Sequence, residues 1–168
     1  MKKYFNTVIV QVLLMVSFFF ATKAQVKTEA SVKISGELAK PFVLTLADLS
    51  KMPRIDVMRK DRDNKEHQYS GVLLSSLLTQ GGATMGKDLR GENLTKYVMV
   101  EASDGYQIIF SLAELDPEFS DQKIILADTI DKNPLPVADG PFRIIVQNDK
   151  KPARCIKQVT NIKIAFAK

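Results

Sequence analysis

Apolar and polar positions alternate in short runs along most of this chain, and the runs predict strands before anything else. Val32 and Ile34 point one way within 30–36, which ends at a glycine turn. Pro41-Phe42-Val43-Leu44 begins a second extended piece, and 54–58 reads as a third, with Ile55 and Val57 on one face. The runs 97–102 and 106–110 flank Ser103-Asp104-Gly105, and Asp-Gly between two such runs predicts a tight hairpin. Residues 123–129 form another strand. Phe142 to Val146 is an apolar run short enough for a buried strand, with Arg143 as its one charge. A final alternating strand covers 158–165, with Ile162, Ile164 and Phe166 on one side.

Three helices interrupt these strands. Thr45-Leu46-Ala47-Asp48 is a capping box in type, with Asp in the Glu position, and opens a short helix that Pro53 stops. Tyr69 to Leu78 turns into a helix with Leu73, Leu74, Leu77 and Leu78 as its apolar stripe, closed by Gly81-Gly82. Ser111-Leu112-Ala113-Glu114 is a second capping box, and Pro117 bounds its helix. About eight short strands with three short helices make an α+β fold with a mixed, mostly antiparallel β-sheet. The same periods put Leu73, Leu77, Val98, Val100, Ile108, Ile125, Ile144 and Val146 in the core.

The start of the chain has a different pattern. Lys2 and Lys3 precede the apolar stretch Val8 to Ala21, and Thr22-Lys23-Ala24 places small residues near a cut. Residues 1–24 read as a secretory signal peptide and 25–168 as a single domain, periplasmic or secreted, with no membrane attachment once the signal is cleaved. Cleavage removes three lysines from a formal charge of +5. The mild balance that is left, without a basic helix or aromatic platform, argues against nucleic acid. Cys155 is the sole cysteine and His67 the sole histidine. An internal disulfide and zinc sites built on Cys and His clusters are therefore excluded, and His67 reads as a surface residue.

Candidate chemistry gathers near the end of the chain. Asp139-Gly140-Pro141 is a turn, Arg143 follows in its apolar strand, and 150–157 is a basic loop carrying Arg154, Cys155 and Lys157. Arg143, Arg154 and Lys157 can converge on one concave surface and hold an anion. Equally, the segment can be an ordinary hairpin with a solvated loop, Arg143 pairing with Asp139. Cys155 reads either as a small residue packed beside the last strand or as a reactive thiol. The charged run 59–66 reads as a solvated hairpin loop.

Six pieces in this order resemble the oxidoreductase molybdopterin-binding domain family, the sulfite-oxidase-like fold. They are Thr45-Leu-Ala-Asp-Leu49; Tyr69-Ser-Gly-Val72 with its leucine helix; Asp104-Gly-Tyr106 with Ser111 to Leu115; Leu126 to Asp131 with Pro134-Leu-Pro136; Asp139-Gly-Pro-Phe-Arg143; and Ala153 to Lys157 with Val159 to Ile162. The resemblance implies a pterin ligand with a phosphate and molybdenum. It makes Arg143, Arg154, Cys155 and Lys157 the cofactor-binding candidates. Two departures accompany it. Asp139 stands near a position where longer members often carry an amide. Catalytic members also supply a cysteine thiolate to molybdenum from a span corresponding to 54–68, which has no cysteine here.

Family enzymes that leave the cell travel folded behind twin-arginine signals, whereas this chain starts Lys2-Lys3. These departures favour a binding module for a small anionic ligand or a periplasmic protein partner, with no cofactor expected as isolated. The resemblance also admits molybdopterin, in a redox enzyme or subunit loaded by a partner. A purely structural interaction domain is the third class.

Overall fold

The computed structural model describes residues 29–167, so the expected signal segment lies outside the described residues. Two five-stranded sheets share one buried apolar cluster. The first sheet takes β1 (Ser31–Gly36), β2 (Phe42–Thr45), β5 (Lys96–Ala102), β6 (Gln107–Ser111) and β10 (Val159–Phe166), in the order β2-β1-β10-β5-β6. The second takes β3 (Ile55–Lys60), β4 (Glu66–Leu73), β7 (Ile124–Ile130) and β8 (Asn133–Pro134), in that order, with β9 (Arg143–Val146) also paired to β7. Every pairing is antiparallel except β1 with β10. The α+β class and the mostly antiparallel sheets match the sequence pattern. The expected single hairpin at the end of the chain does not form, because β9 and β10 belong to different sheets.

The three helices are α1 (Leu46–Ser50), α2 (Leu74–Gln80) and α3 (Leu112–Leu115). Thr45 and Asp48 complete a reciprocal capping box. At α3 only half of the box is present: Ser111 Oγ accepts from Glu114 N. The segment expected to run from Tyr69 into a helix is a strand as far as Leu73. Tyr69 pairs with Val57 on one side and Ile130 on the other. Gly71 allows this, because a Cβ there would stand 2.2 Å from the Leu126 carbonyl oxygen on β7. The leucine stripe then begins at Leu74. Leu74, Leu77 and Leu78 are buried and Leu73 is only partly so, while the other seven expected core residues are buried. Phe166, paired with Lys96 at the end of β10, is exposed rather than core.

β9 decides where the site forms. All four of its residues are buried, Arg143 included. One edge pairs with β7, Arg143 standing opposite Ala127. Segment 156–159 runs along the other edge: Ile144 N donates to Ile156 O at 2.8 Å, and Val159 N donates to Phe142 O at 2.9 Å. Lys157 is thereby held beside the start of β9.

Candidate functional site

A cleft of about 640 Å³ opens above the start of β9. Asp139, Arg143 and the segment 155–157 line it, with Asp61, Arg62, Asp63 and His67 from the β3–β4 hairpin and Asp104 and Tyr106 from the β5–β6 hairpin. Strand alternation explains the hairpin's share. Val57 and Arg59 are buried on the same face of β3, and pairing sets them opposite Tyr69 and His67 on β4. Arg59 therefore points inward although it begins a run of charged residues. The chain reverses tightly after Lys60, with Asn64 N donating to Asp61 O at 3.1 Å and Asn64 at φ 65°.

The floor is a chain of alternating charges. Arg59 donates from Nη1 to Val146 O at 2.5 Å, and its Nε lies 3.6 Å from Asp61 Oδ1. Tyr69 donates its hydroxyl proton to Asp61 Oδ2 at 2.5 Å and accepts from Arg143 Nη1 at 2.8 Å. Burial, with the bond to Asp61 behind it, pushes the Tyr69 phenol far above its ordinary range, so it stays protonated. Arg143 Nη2 lies 3.7 Å from Asp61, and Arg143 Nη1 donates to Asp139 Oδ2 at 2.9 Å. Lys157 Nζ closes the chain, 2.6 Å from Asp139 Oδ1. Three cations thus face two carboxylates. Arg59 Nε, Asp61 Oδ1 and Arg143 Nε are buried without a hydrogen-bond partner among the described residues. Arg59 and Arg143 are 4% and 5% exposed, whereas the Lys157 side chain is 52% exposed.

Of the three cations expected on one cleft, two line it. Arg143 and Lys157 meet on Asp139. Arg154 lies outside the lining. Its Nε and Nη2 donate to Asp149, both at 2.8 Å, its Nη1 donates to Glu114 at 2.8 Å, and its guanidinium stacks 4.9 Å from the Phe110 ring centre. The bonds to Asp149 and Glu114 push its pKa up. Arg154 clamps α3 to the loop after β9. Cys155 lines the cleft but is 4% exposed, and its Sγ accepts from Val146 N at 3.4 Å. Burial pushes the thiol up, so it is held as a thiol.

His67 lies partly exposed at the surface as expected, but it is not idle there. Its Nδ1 lies 2.6 Å from Asp131 and its Nε2 lies 3.0 Å from Asp63, tying the β3–β4 loop to the β7–β8 turn at the cleft wall. The bond to Asp131, then that to Asp63, raises its pKa. The solvated hairpin loop expected over 59–66 holds for 62–66, which are exposed, and is corrected at its start, where Arg59 is buried and Asp61 partly so beneath the cleft. The inward phase of Val57 carries on to Arg59, and that was the available signal. Among the described residues no cluster of three His, Cys, Asp or Glu is arranged to hold a metal.

The model of the oxidoreductase molybdopterin binding domain matches residues 20–167. The chain belongs to that family. No curated protein matches. Among solved structures, the sulfane dehydrogenase SoxCD from Paracoccus pantotrophus superposes with a TM-score of 0.62 at 19% identity, over 80% of this chain and 37% of that one. At that identity the likeness shows a shared fold. The present chain spans little more than a third of that protein.

Proposed function

We propose that the chain is an exported binding module built on the molybdopterin-binding fold, whose cleft takes a small anionic ligand. The observation that carries this reading is the cleft floor. Arg143 and Lys157 line the open cavity with Arg59 buried behind them, and these three cations share Asp61 and Asp139, an excess of one positive charge at the floor beside the half-exposed Lys157. Such a floor suits an oxyanion, which accepts several hydrogen bonds at once. Export is supported by the charged start, the apolar stretch over 8–21 and the small residues at 22–24. An N-terminal sequence starting near Gln25 on protein from the exported fraction checks it.

The residues do not fit molybdenum held through cysteine. Span 54–68 carries Asp61, Asp63 and His67 but no thiol, and the one thiol, Cys155, is buried and protonated. Family membership supports the competing reading, a molybdopterin-dependent oxidoreductase or subunit loaded by a partner. Elemental analysis of protein from its native host separates the two: molybdenum well below one per chain is expected, and stoichiometric metal would overturn the module. In solution, a titration with acetate or with sulfate, followed through the amide shifts of 139–143 and 155–158, should saturate. Lys157→Gln should weaken binding several-fold. Folded protein that saturates with neither anion would end the reading.

A further inference from the structure

The Asp139 carboxylate already occupies the position that an incoming anion would take. Its Oδ2 accepts from Arg143 Nη1 at 2.9 Å and its Oδ1 lies 2.6 Å from Lys157 Nζ. With that bridge filled, an incoming oxyanion reaches the half-exposed Lys157 beside Asp139 rather than the buried Arg143. We propose that Asp139 is a resident stand-in for one ligand charge, and that it restricts the cleft to singly charged oxyanions, with carboxylate-bearing small molecules as the fitting class. This rests on the anion-binding reading of the cleft and adds the charge class to it.

Charge counting carries the argument. With Asp139 in place the floor holds Arg59, Arg143 and Lys157 against Asp61 and Asp139. One monoanion neutralises the excess. A dianion overshoots, and its second charge stands against Asp139 in a partly buried site where screening by water is weak. The rest of the lining balances itself when the imidazole is protonated, Arg62 and His67 standing against Asp63 and Asp104, and so leaves the floor's single excess charge in place. Asp139→Asn removes the charge and keeps the shape. The backbone of residue 139 donates to Pro136 O and accepts from Gln158 N, and neither bond depends on the side chain.

The test compares acetate with sulfate at matched ionic strength, by the same amide-shift titration, in wild type, Asp139→Asn and Lys157→Gln. Asp139→Asn is expected to raise the ratio of sulfate to acetate affinity about tenfold, equivalent to about 1.4 kcal/mol. Lys157→Gln should weaken both anions without raising the ratio. An unchanged ratio in folded Asp139→Asn overturns the proposal and leaves anion binding standing. Saturation with neither anion, in wild type and variant alike, overturns both. Should Asp139→Asn not fold, wild-type protein that binds sulfate as tightly as acetate at matched ionic strength overturns the proposal.

Discussion

Two charged loops approach the same end of β9 and do different work. The basic loop over 150–157 has the composition of a binding loop, yet it sends a single cation, Lys157, into the cleft, while Arg154 is engaged by Asp149 and Glu114. The run over 59–66 has the composition of a solvated turn, yet it supplies the buried Arg59 and its partner Asp61. Composition describes what a loop is made of. Strand phase decides which of its charges are buried, and a buried charge must be paired at close range.

The largest effect that can break this comparison is expected at Arg59. Arg59→Ala leaves Asp61 without its nearest cation and removes a donor to Val146 O. A loss of about 3–5 kcal/mol is expected for one partner of a buried pair, read as a lower urea midpoint at unchanged slope. A loss no larger than that of an exposed residue would return 59–66 to solvent. Next comes Tyr69→Phe. The hydroxyl bridges Asp61 and Arg143, so its removal strips a donor from one and an acceptor from the other. That should cost about 1–3 kcal/mol, with weaker anion binding because Arg143 is no longer held in place. In the other loop, Arg154→Ala should cost only about 1 kcal/mol, since its ion pairs are partly exposed and the Phe110 contact is modest. Anion affinity should be unchanged in that variant, and a loss comparable to that of Lys157→Gln would place Arg154 in the site.

Much of the fold was legible because periodicity reports burial directly. Val32 and Ile34, Val98 and Val100, and Ile162 and Ile164 all face the core as their alternation requires. The Asp104-Gly105 turn closes as expected, Ala102 N donating to Tyr106 O. β4 was missed because its apolar positions run straight into the leucines of α2, and no spacing marks where period two becomes period 3.6. The site was half legible. Arg143 announced itself as a lone charge in an apolar run. Tyr69, Asp61 and His67 did not, because their roles arise from pairings between residues distant in sequence, such as Tyr69 with Arg143 and His67 with Asp131.

The smallest expected effect concerns His67 and appears as a pH dependence. Both imidazole nitrogens face carboxylates, Asp131 from the β7–β8 turn and Asp63 from the hairpin loop, and Tyr69 meets the ring edge-on. Only the imidazolium can donate to both at once. The folded state therefore binds this proton more tightly than the unfolded chain, whose ordinary value is 6.5. The stabilisation is complete below that value and is lost as pH rises through the raised folded value. Asp63 and Asp131 act in the opposite direction. Their partners lower them from 3.8, so their contribution is present above that value and fades as the solution becomes strongly acidic. Between the two limits the latch is intact. Stability measured from mildly acidic to mildly alkaline pH should decline in wild type and be flatter in His67→Gln. The amides of 61–65 should lose protection over the same range, because the imidazole ties that loop to the turn. A His67→Gln profile parallel to wild type would assign the slope to other groups and free the cleft wall from this histidine.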